Sequence, residues 1–521
     1  MRSIKDMIND RRMLIVFFIT IMIMIIAHGL SFTNIVYCHD ALSFNDFDLN
    51  FPDQIRLGRF INPLILVIRR GGAPFLTGIC SILFISLAVL VTVDLLDLKL
   101  WQSIIVIVVF TTNLTLISLY GVYWHYVDIY SIAIFISCLA VYTRYRLPRI
   151  LNIILPIMCL IITLAMYQTY MCMTIGLFLF MLIKDIDTKR NWRGVKSLIK
   201  EGAIDCLILA VGIILYWFIM NRIAQIYMVP ISNDYNGPGN VSGVTIRGMI
   251  KSIPDTYDYF KSKFFDVTKY NTGIIISLNR ILLCITIFEL LIIGYKIIIA
   301  KWNIVPFVLV IACIIVAPLC LNSFYLISNG VMHNHMIFAY NLIYLLPLVL
   351  WNTIERLFKG NISNVNVKIR KIVLIGYLTI FIIICLHNII YSNGYYAYTR
   401  LVYDNTLANT QTIWKDVNSI DGYVEGETEV IFMGSFAKSA AAYHGSMESD
   451  YLGVVTGASP SAITYDNRIG YFFGTVMGKH MNLSYNNERF NDSEIIKIMP
   501  SYPKAGYCRY IDGRVIVKMS D

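Results

Sequence analysis

Apolar residues in this chain come in long unbroken blocks separated by short polar joints, with almost none of the every-second-residue alternation of a half-buried strand. A run of about 18 or more apolar residues, wound as a helix, crosses a hydrocarbon core of about 30 Å. A helix also satisfies its own backbone hydrogen bonds, which lipid cannot do. The blocks predict about eleven spans, at residues 13–35, 74–93, 101–119, 128–143, 150–166, 169–183, 202–222, 276–298, 304–326, 336–353 and 371–391. An odd number places the termini on opposite sides of the membrane. The first block follows Arg2, Lys5, Arg11 and Arg12, as the core of a signal peptide would. It is too long for one, however, and Asn34 and Tyr37 stand where a cleavage site needs small residues. It reads as a retained span.

Two segments break the pattern. Residues 223–275 hold the turn cluster Asn236-Gly237-Pro238-Gly239-Asn240, then Tyr257, Tyr259, Phe260, Phe264 and Phe265 among lysines, a mixture that predicts an interfacial helix. From residue 393 the composition becomes that of a water-soluble unit. There Val430–Gly434 predicts a buried strand ending in a glycine turn, Ala437–Ala442 a helix, and Arg514–Lys518 a last strand. The expected fold is an α-helical polytopic membrane protein, residues 1–392, with a small C-terminal α/β domain, residues 393–521.

Composition supports this class: 57% hydrophobic and 15% charged residues in 521, with a mean hydropathy of +0.64. The net charge of +10 is therefore a topology signal and points to no nucleic-acid partner. With the N-terminus inside, the inner joints carry twenty-one lysines and arginines; the outer joints before residue 393 carry nine, all in the two long ones. The N-terminus is then cytoplasmic, and loops 36–73 and 223–275 and the C-terminal unit face outward. Most of the 11 cysteines lie within apolar blocks (Cys80, Cys138, Cys159, Cys284, Cys313). Cys38 and Cys508 fall outside the membrane and are expected as free thiols, with pairing in an oxidising compartment as the alternative.

Candidate chemistry concentrates at residues 37–59, which pack Asp40, Asp46, Asp48, Asp53, Arg56 and Arg59 into one outward loop. Asp40 beside His39 suits a general base that takes a proton from a hydroxyl. Arg56 and Arg59 offer planar forks that match phosphate oxygens. Asp46 and Asp48 are either substrate contacts or solubilising charges, and Asp53, after a proline, is expected to cap a helix. A metal on His39, Asp40, Asp46 and Asp48 has unspecific spacing, so neither metal nor cofactor is expected. Other outward joints bring His125, Tyr126 and Asp128, then Tyr167 and Gln168, then Asn322, Tyr325, Asn329, His333 and His335. Singly each is ordinary loop or interfacial aromatic; their convergence on one side argues for a cavity.

These features resemble the GT-C superfamily of membrane glycosyltransferases, and more closely the serotype-converting O-antigen glucosyltransferases of bacteria, the Gtr family. The likeness rests on His39-Asp40 after the first span, Gly58-Arg59, Tyr167-Gln168, and Tyr502-Pro503 ahead of the strand at 514–518. It implies an inverting transfer of a hexose, typically glucose, from undecaprenyl phosphate to lipid-linked O-antigen on the periplasmic face of the bacterial inner membrane. Asp40 would be the base, aided by His39, with Arg56, Arg59, His333 or His335 at the donor phosphate and the remaining loop residues on substrate. The family's basic residue in the penultimate outer loop has only His333 or His335 to stand for it. An O-antigen polymerase or ligase, a flippase or transporter of lipid-linked sugars, and a scaffold remain the alternatives. A late outer loop, charged or broken spans, or repeated halves would favour the first two.

Overall fold

A computed structural model describes residues 10–45, 51–69, 73–148, 150–184, 192–233, 244–328, 332–358, 364–445, 447–484 and 494–520. Its helices, in order, are α1 (Arg11–Thr33), α2 (Phe51–Arg56), α3 (Asn62–Arg69), α4 (Pro74–Leu95), α5 (Leu100–Thr111), α6 (Leu114–Gly121) and α7 (Val127–Arg146). There follow α8 (Leu151–Met166), α9 (Met171–Lys184), α10 (Trp192–Ile226), α11 (Ile246–Phe264), α12 (Gly273–Ile299), α13 (Val305–Leu321), α14 (Leu346–Leu357) and α15 (Asn364–Asn418). Among the described residues six helices are long and apolar enough to cross a membrane: α1, α4, α7 with its leading turn, α10, α12 and α15. The protein is therefore a helical membrane protein, and the shorter apolar helices α8, α9 and α13 pack among the six.

Two predicted spans are interrupted, each for a local chemical reason. The run at 101–119 bends by 44° between α5 and α6. Thr112 Oγ1 donates to Val108 O at 2.9 Å and Asn113 Nδ2 to Val109 O at 2.9 Å, while Asn113 Oδ1 accepts from Leu116 N at 3.2 Å. Side chains thus end one helix and cap the next. The run at 336–353 is a 3-10 segment, Phe338–Leu345, before α14. Pro347 has no amide to give residue 343, so the α-helix starts beside it. Asp53 lies within the first turn of α2 rather than at its cap.

Helix α15 runs 55 residues, through the expected boundary at 392/393, and joins the bundle to the C-terminal unit. Ser392 Oγ donates to Ala27 O of α1 at 2.9 Å and Asn393 Nδ2 to Ile26 O at 3.1 Å. Gly121 leaves room for Tyr395: a Cβ there would lie 2.2 Å from the ring. Beyond it stand four strands ordered β2-β1-β4-β3: β1 (Glu429–Met433), β2 (Asn482–Ser484), β3 (Cys508–Ile511) and β4 (Arg514–Lys518). β1 runs parallel to β2 and β4, and β3 and β4 form a hairpin. Asp512 and Gly513 turn it with positive φ, 46° and 78°, as a two-residue hairpin requires. Val430, Phe432, Val515 and Val517 pack against Ile413 and Val417 of α15, while Ile431, Met433 and Ile516 face Ile496 and Met499.

The helix expected at Ala437–Ala442 is absent; a 3-10 turn, Phe436–Lys438, stands there instead. Ser439 Oγ binds Phe436 O and the amide of Ala441, and Asn405 takes the carbonyl of Ala441, so the groups that would propagate a helix are already used. Gly434, at φ 78°, does end β1 as expected.

At the bundle end opposite loop 37–59, charges are matched. Arg144 Nε meets Asp205 Oδ1 at 2.9 Å, Tyr145 donates to the other oxygen at 2.7 Å, and Arg146 meets Asp97 at 2.7 Å. Asp205 is 3% exposed. Arg144→Ala strips a buried carboxylate of its cation and is expected to cost about 3–5 kcal/mol, read as a lower thermal midpoint of the purified protein; an unchanged midpoint would contradict the role given to this pair.

Candidate active site

The site grows from a turn that only glycine completes. Helix α2 ends with Gly58 at φ 74°; its amide donates to Ile55 O at 2.8 Å, and the next amide, Arg59 N, to Gln54 O at 2.7 Å. This is the Schellman pattern, and it swings Arg59 back over the helix. Gln54 then ties the turn down: its amide donates to Tyr126 Oη at 2.9 Å, and its oxygen accepts from Asn62 Nδ2 at 2.9 Å. The Arg59 guanidinium lies 4.7 Å from the centre of the Tyr167 ring.

His39 holds a left-handed backbone, φ 51°, unusual without glycine, and the preceding segment and the C-terminal unit over-determine it. Its amide donates to Ala462 O at 3.3 Å. Leu42, two residues past Asp40, is fully buried in the core beneath the sheet. Gly457 (φ 82°) approaches closely: a Cβ there would sit 2.6 Å from Val122 Cγ1 and 3.3 Å from His39 Cδ2. The His39 ring touches those of Tyr123 and Tyr465, with centroids 5.6 and 5.4 Å away.

Asp40 meets His39 Nδ1 at 3.3 Å and accepts a hydrogen bond at 2.9 Å from Arg468 Nη2. Its side chain is 41% exposed, so a substrate reaches it. Burial alone would raise its pKa, but His39, His125 and Arg468 outweigh burial and hold the carboxyl well below the usual range. His333 and His335 stack with centroids 5.6 Å apart. Burial lowers the pKa of both, well below the ordinary value for His335, so at neutral pH they donate hydrogen bonds without bringing charge.

Gln54, Arg59, His39, Asp40, Arg468 and the two stacked histidines face one cavity of about 1300 Å³. The structure places His39, Asp40, Arg56, Arg59, His125, Tyr126, Tyr167, His333 and His335 on its wall. Two further candidates are engaged elsewhere. Gln168 Nε2 bonds Leu57 O at 2.7 Å and Tyr216 Oη at 3.0 Å, bracing the Gly58 turn. Asp128 is buried 3.3 Å from Arg69. Asp46, Asp48, Asn329 and the 236–240 turn cluster lie outside the described residues. Among the described residues no three of His, Cys, Asp and Glu gather as metal ligands. Cys38 and Cys508 are both free, and burial pushes each thiol up to about 12.

Sequence reasoning missed the wall contributed by residues 453–471, which includes Thr456, Gly457, Thr464, Tyr465, Arg468 and Tyr471. A lone arginine in a polar stretch carries no local signal of its partner 428 residues away. It also missed Lys263 as a wall residue, reading it only as part of the interfacial helix. Buried polar atoms among the wall residues, Arg59 Nε, Thr464 Oγ1 and Arg468 Nε among them, have no hydrogen-bond partner among the described residues. They are available to the hydroxyls or oxyanions of a ligand.

Fold and site together define a helical membrane protein with a large polar cavity at one end, carrying a reachable carboxylate and several cations. A family model described as the glucosyl transferase GtrII matches residues 29–351, and the chain belongs to that family, which makes it a glycosyltransferase. No curated protein and no solved structure matches the chain. The matched stretch includes Asp40, Arg59 and His335 but ends before Arg468.

Gly457→Ala is expected to push residues 456–458 off His39 and lower activity while the protein still purifies as a folded species. Wild-type turnover in that variant would show the close approach to be dispensable.

Proposed function

We propose that this protein is an inverting glucosyltransferase that moves glucose from undecaprenyl phosphate to lipid-linked O-antigen at the periplasmic face of the bacterial inner membrane. The observation that carries the reading is the ionised, reachable Asp40 in a cavity that also holds Arg59. The acceptor hydroxyl attacks the anomeric carbon from the side of Asp40, which takes its proton. The bond from that carbon to the phosphate oxygen breaks, and the phosphate leaves with the electron pair. A phosphate leaving group needs no protonation, so one carboxylate suffices where glycoside hydrolysis uses two. A carboxylate of low pKa is a weak base but is always in the base form. The transfer occurs late, when the attacking oxygen is already acidic. A β-linked donor gives an α-linked product.

Arg59 and Arg56 are suited to the phosphate, and the neutral His333 and His335 to hydrogen bonds with it or with sugar. His125, Tyr126 and Tyr167 line the space between, where aromatic faces suit a sugar ring; Asp46 and Asp48 complete the proposed substrate contacts. The lysine and arginine count supports a cytoplasmic N-terminus and a periplasmic C-terminal unit. Counting the bent pair, the three shorter apolar helices and residues 338–357 with the six long helices gives eleven crossings.

Asp40→Asn, at normal expression, is expected to lower glucosylation of surface polysaccharide by about 10²–10⁴-fold; wild-type modification would sink the assignment. Arg468→Gln removes a charge that keeps Asp40 ionised, raising its pKa. The acid limb of the rate profile, expected below the ordinary carboxylate value of about 4, should then move to higher pH. An unmoved limb would mean that Asp40 does not set it.

A further inference from the structure

Besides Arg56, Arg59 and Arg468, the cavity wall carries a lysine, Lys263. Lys263 lies one residue before the end of the amphipathic helix α11, against the Tyr259 ring, its Nζ 5.0 Å from the ring centre. Nζ donates to Asn334 Oδ1. No carboxylate pairs with it among the described residues, although its neighbour Lys261 faces Asp266. Burial pushes its pKa down to about 8, the direction expected of a desolvated ammonium without a counter-ion. A cation kept out of water is costly unless an anion joins it.

Its position says which anion. Lys263 lines two cavities at once: the polar one of about 1300 Å³ that holds Asp40, and a smaller one of about 170 Å³. Val108, Val109, Phe264, Ile275, Phe381 and Ile384 give the smaller cavity apolar walls, and Asn113, Asn271, Asn341 and Asn388 also line it. Cavities of about 150 Å³ accept one benzene-sized group, so this one suits a single isoprene unit. The cation thus stands where the polar cavity meets a smaller one of mixed lining with several apolar walls, a position that fits a phosphate between a sugar and its first isoprene. Asn334 connects this point to the C-terminal wall, its amide nitrogen donating to Thr456 Oγ1 at 2.8 Å and its side chain to Val454 O.

We propose that Lys263 binds the phosphate of the polyprenyl-linked donor, with the first isoprene in the smaller cavity and the sugar directed toward Asp40. The proposal rests on the transferase reading above and names the contact that the loop histidines, being neutral, do not supply. The shared chemistry is a lipid-borne phosphate, and ordinary phospholipid is the rival source.

The test measures binding of a short-chain polyprenyl phosphate, the matching polyprenol and phosphatidylglycerol to the purified full chain, together with transfer from a polyprenyl-phosphate glucose. Lys263→Gln should weaken the polyprenyl phosphate by about tenfold or more, the loss expected for a charged hydrogen bond. It should leave the polyprenol unchanged and raise KM for the donor more than it lowers kcat. Lys263→Arg should restore most of the affinity. Lys251→Gln, an exposed lysine on the same helix, should change nothing. Equal binding by wild type and Lys263→Gln, an equal loss in Lys251→Gln, or phosphatidylglycerol binding as tightly through Lys263 overturns the proposal. If Asp40→Asn abolishes transfer while Lys263→Gln keeps the wild-type KM, the assignment of Lys263 fails and the transferase reading stands. If the wild-type chain transfers no sugar from the polyprenyl donor, the reading itself fails.

Discussion

Asp40 and Arg468 meet at 2.9 Å although 428 residues separate them, and that contact joins the first outer loop to the C-terminal wall of the cavity. The loop that carries Asp40 is anchored less by the membrane helices before and after it than by the C-terminal unit. Leu42 is wholly buried in the core beneath the sheet, with Tyr37 and Cys38 packed against it. Thr475 Oγ1 reaches Leu42 O at 3.5 Å, and the amide of His39 reaches Ala462 O. The left-handed backbone of His39 survives because both sides hold it. A carboxylate this close to apolar surroundings would otherwise tend to take up a proton; the Arg468 guanidinium at 2.9 Å opposes this.

Charges are handled differently at the two ends of the bundle. At the far end arginines and lysines face carboxylates, as Arg144 faces Asp205 and Arg146 faces Asp97, and the interactions are complete within the protein. At the cavity end Arg468 also meets a carboxylate, but Arg59 rests on an aromatic face and Lys263 on another. An aromatic face stabilises a cation while leaving its hydrogen-bond donors open. The first arrangement suits a structural clamp, the second a site that waits for an anion.

The sequence made the membrane class legible because span-length apolar blocks are the strongest periodic signal a chain carries, and most blocks are matched by helices to within a few residues, while α10 and α15 run well beyond theirs. Where blocks and helices part, a side chain competes for the backbone: Thr112 and Asn113 at the bend, Ser439 in the lost helix, Pro347 at the start of α14. Half of the cavity was legible too. His39, Asp40, Arg59 and His335 stand at joints, where polarity next to an apolar block is conspicuous. The other half was not, since Arg468, Gly457 and Lys263 lie in stretches where a polar residue is unremarkable. Their meaning is purely three-dimensional. Gln168 and Asp128 show the reverse case, joint residues whose hydrogen bonds are spent within the protein.

Helix α15 has a consequence for how a large substrate enters. Its 55 residues extend about 80 Å at the usual rise, far more than a bilayer's hydrocarbon depth. It is gripped by α1 at Ser392 and Asn393, and a residue or two later by the rings of Tyr395 and Tyr451, whose centroids lie 5.5 Å apart. These contacts brace the C-terminal unit against the bundle at that junction. The stretch between residues 453 and 457 is built differently: two glycines with positive φ bracket its contact to Asn334. If the transferase reading holds, a few backbone torsions in this stretch would govern admission to the cavity, while the braced junction would hold its opposite walls in register.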